Sequence, residues 1–143
     1  MTQQVVERAF GSMVIHSRSQ ADVREAGEIL LSSMGSQFDE RDNCTIEWSE
    51  IIRGMTSDHT VLINRQHRGG SMMIPGESMF ILETQPAGYI TYAANQAEKA
   101  ATIKLVDCRA VGAFGRLVLA GREADIEEAA AAAIAAVKNP PGT

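Results

Sequence analysis

The side chains best suited to nucleophilic or metal chemistry are His16, His59, His67, Cys44 and Cys108. A catalytic thiol needs a base beside it, and no histidine stands near either cysteine at a spacing that would supply one. No histidine is paired with a cysteine or carboxylate at a metal-ligand spacing, and no CxxC, HExxH, GxSxG or P-loop pattern occurs. The sequence therefore predicts no catalytic residues, no metal site and no cofactor. The junction around Gly121 runs from a strand into a helix, as anion sites do, but Glu123, Asp125, Glu127 and Glu128 crowd it and would repel a phosphate. Arg65, His67 and Arg68 with Gly69-Gly70 form a small basic turn, read as a solvated hairpin tip. Gly112-Ala113-Phe114-Gly115 sets two glycines around an aromatic, a loop whose backbone can approach another group closely.

These residues hang on alternating strand and helix signals. Met13-Val14-Ile15-His16 reads as a strand. Ser19 and Asp22 resemble a capping box, and Val23, Ala26 and Leu30 then recur at helical spacing. Residues 36–43 read as an exposed polar linker. Trp48, Ile51, Ile52 and Met55 fit a short amphipathic helix, although residues 45–48 alternate like a strand. Residues 60–64 read as a strand, with 71–74 as its hairpin partner across the basic turn. From Ser78 the grammar is plain: a strand over 79–83, a helix opened by Pro86 and running to about Ala101, strands over 102–107 and 116–120, and a final helix with Asp125, Glu127 and Glu128 in its first turn and Lys138 at its end. Its 129–137 run (AAAAAIAAV) is apolar on every side, which suits either pure helix propensity or a face covered by a neighbouring subunit.

The 143 residues suffice for one domain with its own core. Hydrophobic residues make up 45% and charged residues 22%, which excludes wholesale disorder. The net charge of −5 argues against a general nucleic-acid-binding surface. The longest apolar run falls far short of the ~20 residues that cross a bilayer, and the first residues lack the pattern of a signal peptide. With two isolated cysteines, the expectation is a cytoplasmic protein with reduced thiols, and neither nucleic acid nor membrane as partner.

Residues 78–138 resemble the shell-protein domain of bacterial microcompartments. The strand over 79–83 and the helix from Pro86 match its opening. The stretch 94–103 (ANQAEKAATI) is similar to the end of the family's first helix, where a lysine precedes two alanines and a β-branched strand. Residues 109–115 stand where the pore loop belongs. Residues 117–121 (LVLAG) and 125–129 (DIEEA) match the strand and helix that follow. The last strand and small helix of the usual order have their counterpart at the front, in 13–18 and 21–31. That is the circularly permuted arrangement, similar to shell proteins of ethanolamine- and propanediol-utilising compartments.

The resemblance implies an α+β fold related to the ferredoxin-like type: a permuted shell domain whose antiparallel sheet has helices packed on it. It divides residues 1–143 into an extension strand (1–12), a permuted β-α unit (13–35), an insert (36–77) that caps or rims one face, and a main βαββα unit (78–139). It implies homohexamers that tile edge to edge with other shell proteins in the shell of a cytoplasmic microcompartment. Gly112, Ala113, Phe114 and Gly115 would line a central pore for small polar metabolites, with Phe114 narrowing it. Lys99 would pack against its copy at the hexamer edge, beside Arg18. The first strand would assemble with its copies into a small barrel over the pore. A ferredoxin-like small-molecule sensor is the alternative, with the 112–115 loop as its ligand loop. A small enzyme using Cys108 or a histidine ranks last.

Overall fold

The computed structural model describes residues 3–7, 10–37, 40, 43–67 and 69–140. Ten elements follow in order: β1 (Gln3–Glu7), β2 (Phe10–Val14), α1 (Gln20–Ser33), β3 (Thr45–Ile52), α2 (Ser57–Gln66), β4 (Ser78–Gln85), α3 (Tyr89–Ala100), β5 (Lys104–Arg109), β6 (Gly115–Gly121) and α4 (Glu123–Lys138). β3, β4, β6 and β5 form one antiparallel sheet in that order, and β1 and β2 pair only with each other. The mixed helix-and-antiparallel-sheet architecture is the one expected.

The buried faces of β4 and β6 follow from strand alternation. Phe80, Leu82, Leu117 and Leu119 point to the side covered by α3 and α4. Met79, Val118 and Ala120 point to the other side, where Met55, Met73 and Ile63 cover them. α3 and α4 pack through alanines, with Ala93, Ala94 and Ala97 on one helix and Ala129, Ala130 and Ala133 on the other, all buried. Small side chains let two helix axes approach closely, so the all-round apolar run serves the helix–helix contact within one chain. Ala131 and Ala135 of the same run stay exposed.

The structure corrects the expected strand at 13–16. Residues up to Val14 belong to the separate β1–β2 hairpin, and the edge strand beside β4 is β3. The strand and helix that complete the sheet unit ahead of β4 are thus β3 and α2, from within the stretch read as an insert. A bulge at Glu47 shifts the register between Ile46 and Trp48, so Ile46, Ser49 and Ile51 all face the helices, opposite Thr84, Leu82 and Phe80. The apolar run at 51, 52 and 55 imitates a helix because both faces are covered: Ile51 packs with the helix-side cluster, and Ile52 and Met55 with the other.

Residues 60–64 lie inside α2 and are not a strand. Thr56 caps this helix, its Oγ1 accepting from the His59 N–H at 3.4 Å, and the Thr60 hydroxyl donates to the Thr56 carbonyl at 2.8 Å. These local bonds outweigh the β propensity of a short run. Residues 71–74 are likewise no hairpin partner. Ser71 N–H donates to the Leu105 carbonyl at 2.8 Å, and Asn64 grips Met73 through both its amide atoms, at 2.9 and 3.0 Å. The segment thereby covers the outer edge of β5. Gly70 is required there, since a Cβ would collide with the Val106 carbonyl.

The helix after Pro86 begins at Tyr89, behind a Pro86–Gly88 turn and a cis Gln85–Pro86 bond. Half of the expected capping box forms: Ser19 Oγ accepts from Asp22 N–H at 3.3 Å at the start of α1, but the Ser19 N–H donates to Ser17 Oγ at 3.2 Å instead of to the Asp22 carboxylate. α1 buries no residue, and it has no extensive packing on the four-stranded sheet. Of the sequence expectations, Phe38, Asp39, Arg41 and Asp42 of the linker, Arg8 and Ala9 of the first strand, Arg68 of the basic turn and Pro141-Gly142 lie outside the described residues.

Candidate functional site

Sheet register fixes where the candidate residues stand. The β5–β6 loop emerges at one end of the sheet, where Gly115 pairs with Thr84 and Thr45 with Gln85. Within it Val111 and Phe114 are exposed at 46% and 45%, while Gly112 and Ala113 are half-buried. Gly115 is buried, and a Cβ there would run into the Ala87 carbonyl. The base of the loop is thus pinned against the start of α3, and its tip projects. Arg109 and Arg116 face each other across the base. Like charges at opposed positions repel. Each is neutralised by its own acid: Arg109 Nε lies 2.8 Å from Asp107 Oδ2, and Arg116 Nε donates to Glu83 Oε1 at 2.7 Å.

Lys99 is exposed in the last turn of α3. α3 starts beside the loop base and runs the other way, so the helical rise from Tyr89 carries Lys99 roughly 15 Å toward the opposite end of the sheet. Arg18 is exposed between β2 and α1, outside the four-stranded sheet. The loop residues Gly112 to Gly115 are therefore together, Lys99 lies at the far end, and Arg18 belongs to a different unit.

Arg53 was missed by the sequence reading. It directly follows β3 at the Lys99 end, where Ile52 pairs with Met79 and Met79 with Ala120. Its guanidinium donates to Glu127 and Glu123 of α4, both at 2.7 Å. The hydrogen bond to Glu127, then that to Glu123, raises its pKa further, so the charge is permanent. Only the arrangement of β3 in the sheet reveals its position, because no local pattern marks it.

A cleft of about 300 Å³ opens between the outer edge of β3 and α4. Its lining is Ile51, Phe80, Ala130 and Ile134, with Ser49, Glu50 and Arg53 at the rim.

No arrangement for catalysis appears among the described residues. Burial pushes the Cys44 thiol up from its ordinary pKa. Burial, with Asp107 and Glu98 nearby, does the same for Cys108. Both changes disfavour the thiolate that a nucleophile requires. His67 is not a solvated tip: its side chain is 9% exposed, and Nδ1 lies 2.9 Å from Asp107 Oδ2. The contact is one of proximity without a formed hydrogen bond. It packs the end of α2 against β5. No group of three metal-ligating side chains occurs among the described residues, and no described helix is long and apolar enough to cross a membrane.

Residues 1–40, which hold β1, β2 and α1, match the family model described as the CsoS1D N-terminal domain. The chain is 61% identical to the carboxysome shell protein CsoS1D of Hydrogenovibrio crunogenus over 95% of its own length. It spans 66% of that relative, just under two thirds. Among solved structures it is similar to the fused permuted hexameric shell protein MSM0275 of the RMM microcompartment, with TM-score 0.88 and 42% identity over 95% of this chain and 68% of that one. It is also similar to the double ringed trimeric shell protein MSM0271 of the same compartment, with TM-score 0.87 and 34% identity over 94% of this chain and 66% of that one. Similarity of this extent covers β3 to α4 and the sheet order they build, and the chain belongs to the bacterial microcompartment shell proteins, in their circularly permuted arrangement.

Proposed function

We propose that this chain is a structural tile of a microcompartment shell in the cytoplasm, closing into homohexameric rings that abut other shell proteins, and that it carries no enzymatic activity. The observation that supports this most is the 42% identity, at TM-score 0.88, to a permuted hexameric shell protein. The sensor alternative gains nothing from the three relatives described above, each named as a shell protein.

In this reading Gly112, Ala113, Phe114 and Gly115 of successive copies surround a central pore for small polar metabolites. The projecting tip suits that position, and backbone N–H groups there favour polar or anionic solutes. Lys99, at the other end of the sheet, marks the outer rim. A long apolar stem lying flat with its charge on carbonyls suits a lysine at an edge. The edge arginine of the resemblance follows the permuted strand. Since that strand is β3, Arg53 takes the role expected of Arg18. The β1–β2 hairpin, separate from the sheet, covers one face of the ring by pairing with its copies. Negative-stain imaging of the purified chain tests the reading: flat rings with a central stain-filled hole support it, and a chain monomeric by light scattering at millimolar concentration overturns it.

A further inference from the structure

The two edges of the four-stranded sheet are finished differently. The β5 edge is covered by the 69–74 segment, which presents Met72 and Ile74 at 70% and 56% exposure. The β3 edge is uncovered by any described element and borders the cleft. Register puts these two features at one level. Ser71 bonds Leu105, Leu105 pairs with Leu119, Leu119 with Phe80, and Phe80 with Ile51, and the last two line the cleft. Within one chain, four strands at ~4.8 Å separate them by roughly 20 Å, beyond the reach of a methionine side chain. Only another molecule can bring the two together.

A closed ring is heterologous: one flank of each copy meets the opposite flank of the next. Resting on the ring of the proposed function, we propose that Met72 of one copy seats in the cleft between β3 and α4 of the next, over Phe80, Ile51, Ala130 and Ile134. An unbranched thioether adapts to an irregular apolar slot. The small Ala130 leaves the room, and Ser49 and Glu50 form the polar rim that an interface core requires. This joint is directional, so it orders every copy in the same sense round the axis.

The test uses the whole chain with Cys44→Ser and Cys108→Ser, to which Ser49→Cys and Met72→Cys are added singly and together. Oxidation of the double variant is expected to give a ladder of covalent oligomers ending at the ring mass, with no such ladder from either single variant. Separately, Met72→Glu is expected to raise the half-assembly concentration at least about tenfold, the effect of losing a buried interface side chain, with an unchanged circular dichroism spectrum. Rings of normal mass that yield no ladder, and that assemble as well with Met72→Glu, overturn the joint and leave the ring standing. A parent chain that forms no ring at any concentration overturns both.

Discussion

At the scale of single residues, the proposed edge role turns on which arginine shares an end of the sheet with Lys99. Lys99 and Arg53 share one end of the sheet, and Arg18 stands outside it. Lys99→Ala is expected to leave ring mass unchanged and to abolish extended two-dimensional arrays, as seen by negative stain. Arg53→Ala is expected to do the same, whereas Arg18→Ala leaves arrays intact. The reverse result for the two arginines would return the edge role to Arg18. The place of Lys99 near a helix end was legible because its surroundings, AEKAATI, combine a helix end with a β-branched strand start, while the edge role proposed for it comes from the family resemblance. Arg53 was not, because Ile51, Ile52 and Met55 serve opposite faces of the sheet and so read as a helix where β3 ends. His67 was read as solvated because nothing local to a basic turn announces Asp107, 40 positions away and 2.9 Å distant.

At the scale of elements, the two buried clusters draw, among the described residues, on β3, β4, β5, β6, α3, α4 and the segment from Met55 to Met73, and on none before Cys44. Removing residues 1–37 is therefore expected to shift the melting temperature by less than about 4 °C, what 1 kcal/mol is worth at this size. A loss of cooperative melting by circular dichroism would show that the hairpin and α1 hold the body together. Elements from β4 to α4 were legible because their patterns are long and locally consistent: a mostly buried strand, a helix with one alanine face, and a helix with acids at its start and Lys138 at its end. α2 was not, because Val61, Leu62 and Ile63 look β-forming until the Thr56 cap is known. The final element order nevertheless bears out the permuted architecture, carried by β3 and α2.

At the scale of the whole molecule, the exposed loop tip and Lys99 lie at opposite ends of one sheet, the arrangement a tile needs for a centre and a rim. Phe114, 45% exposed, is the largest side chain of the tip. Phe114→Ala is expected to raise the passage of small solutes through reconstituted shells while ring mass and arrays stay unchanged. Equal permeability would remove Phe114 from the path.

Among the described residues, both hydrophobic clusters are built from a single copy, and each side of the sheet has its own cover apart from the cleft beside β3. Folding and construction are thereby separate events. If the proposed ring forms, folded copies can accumulate with little more than one open slot each, and the timing of growth passes from the folding rate to supply.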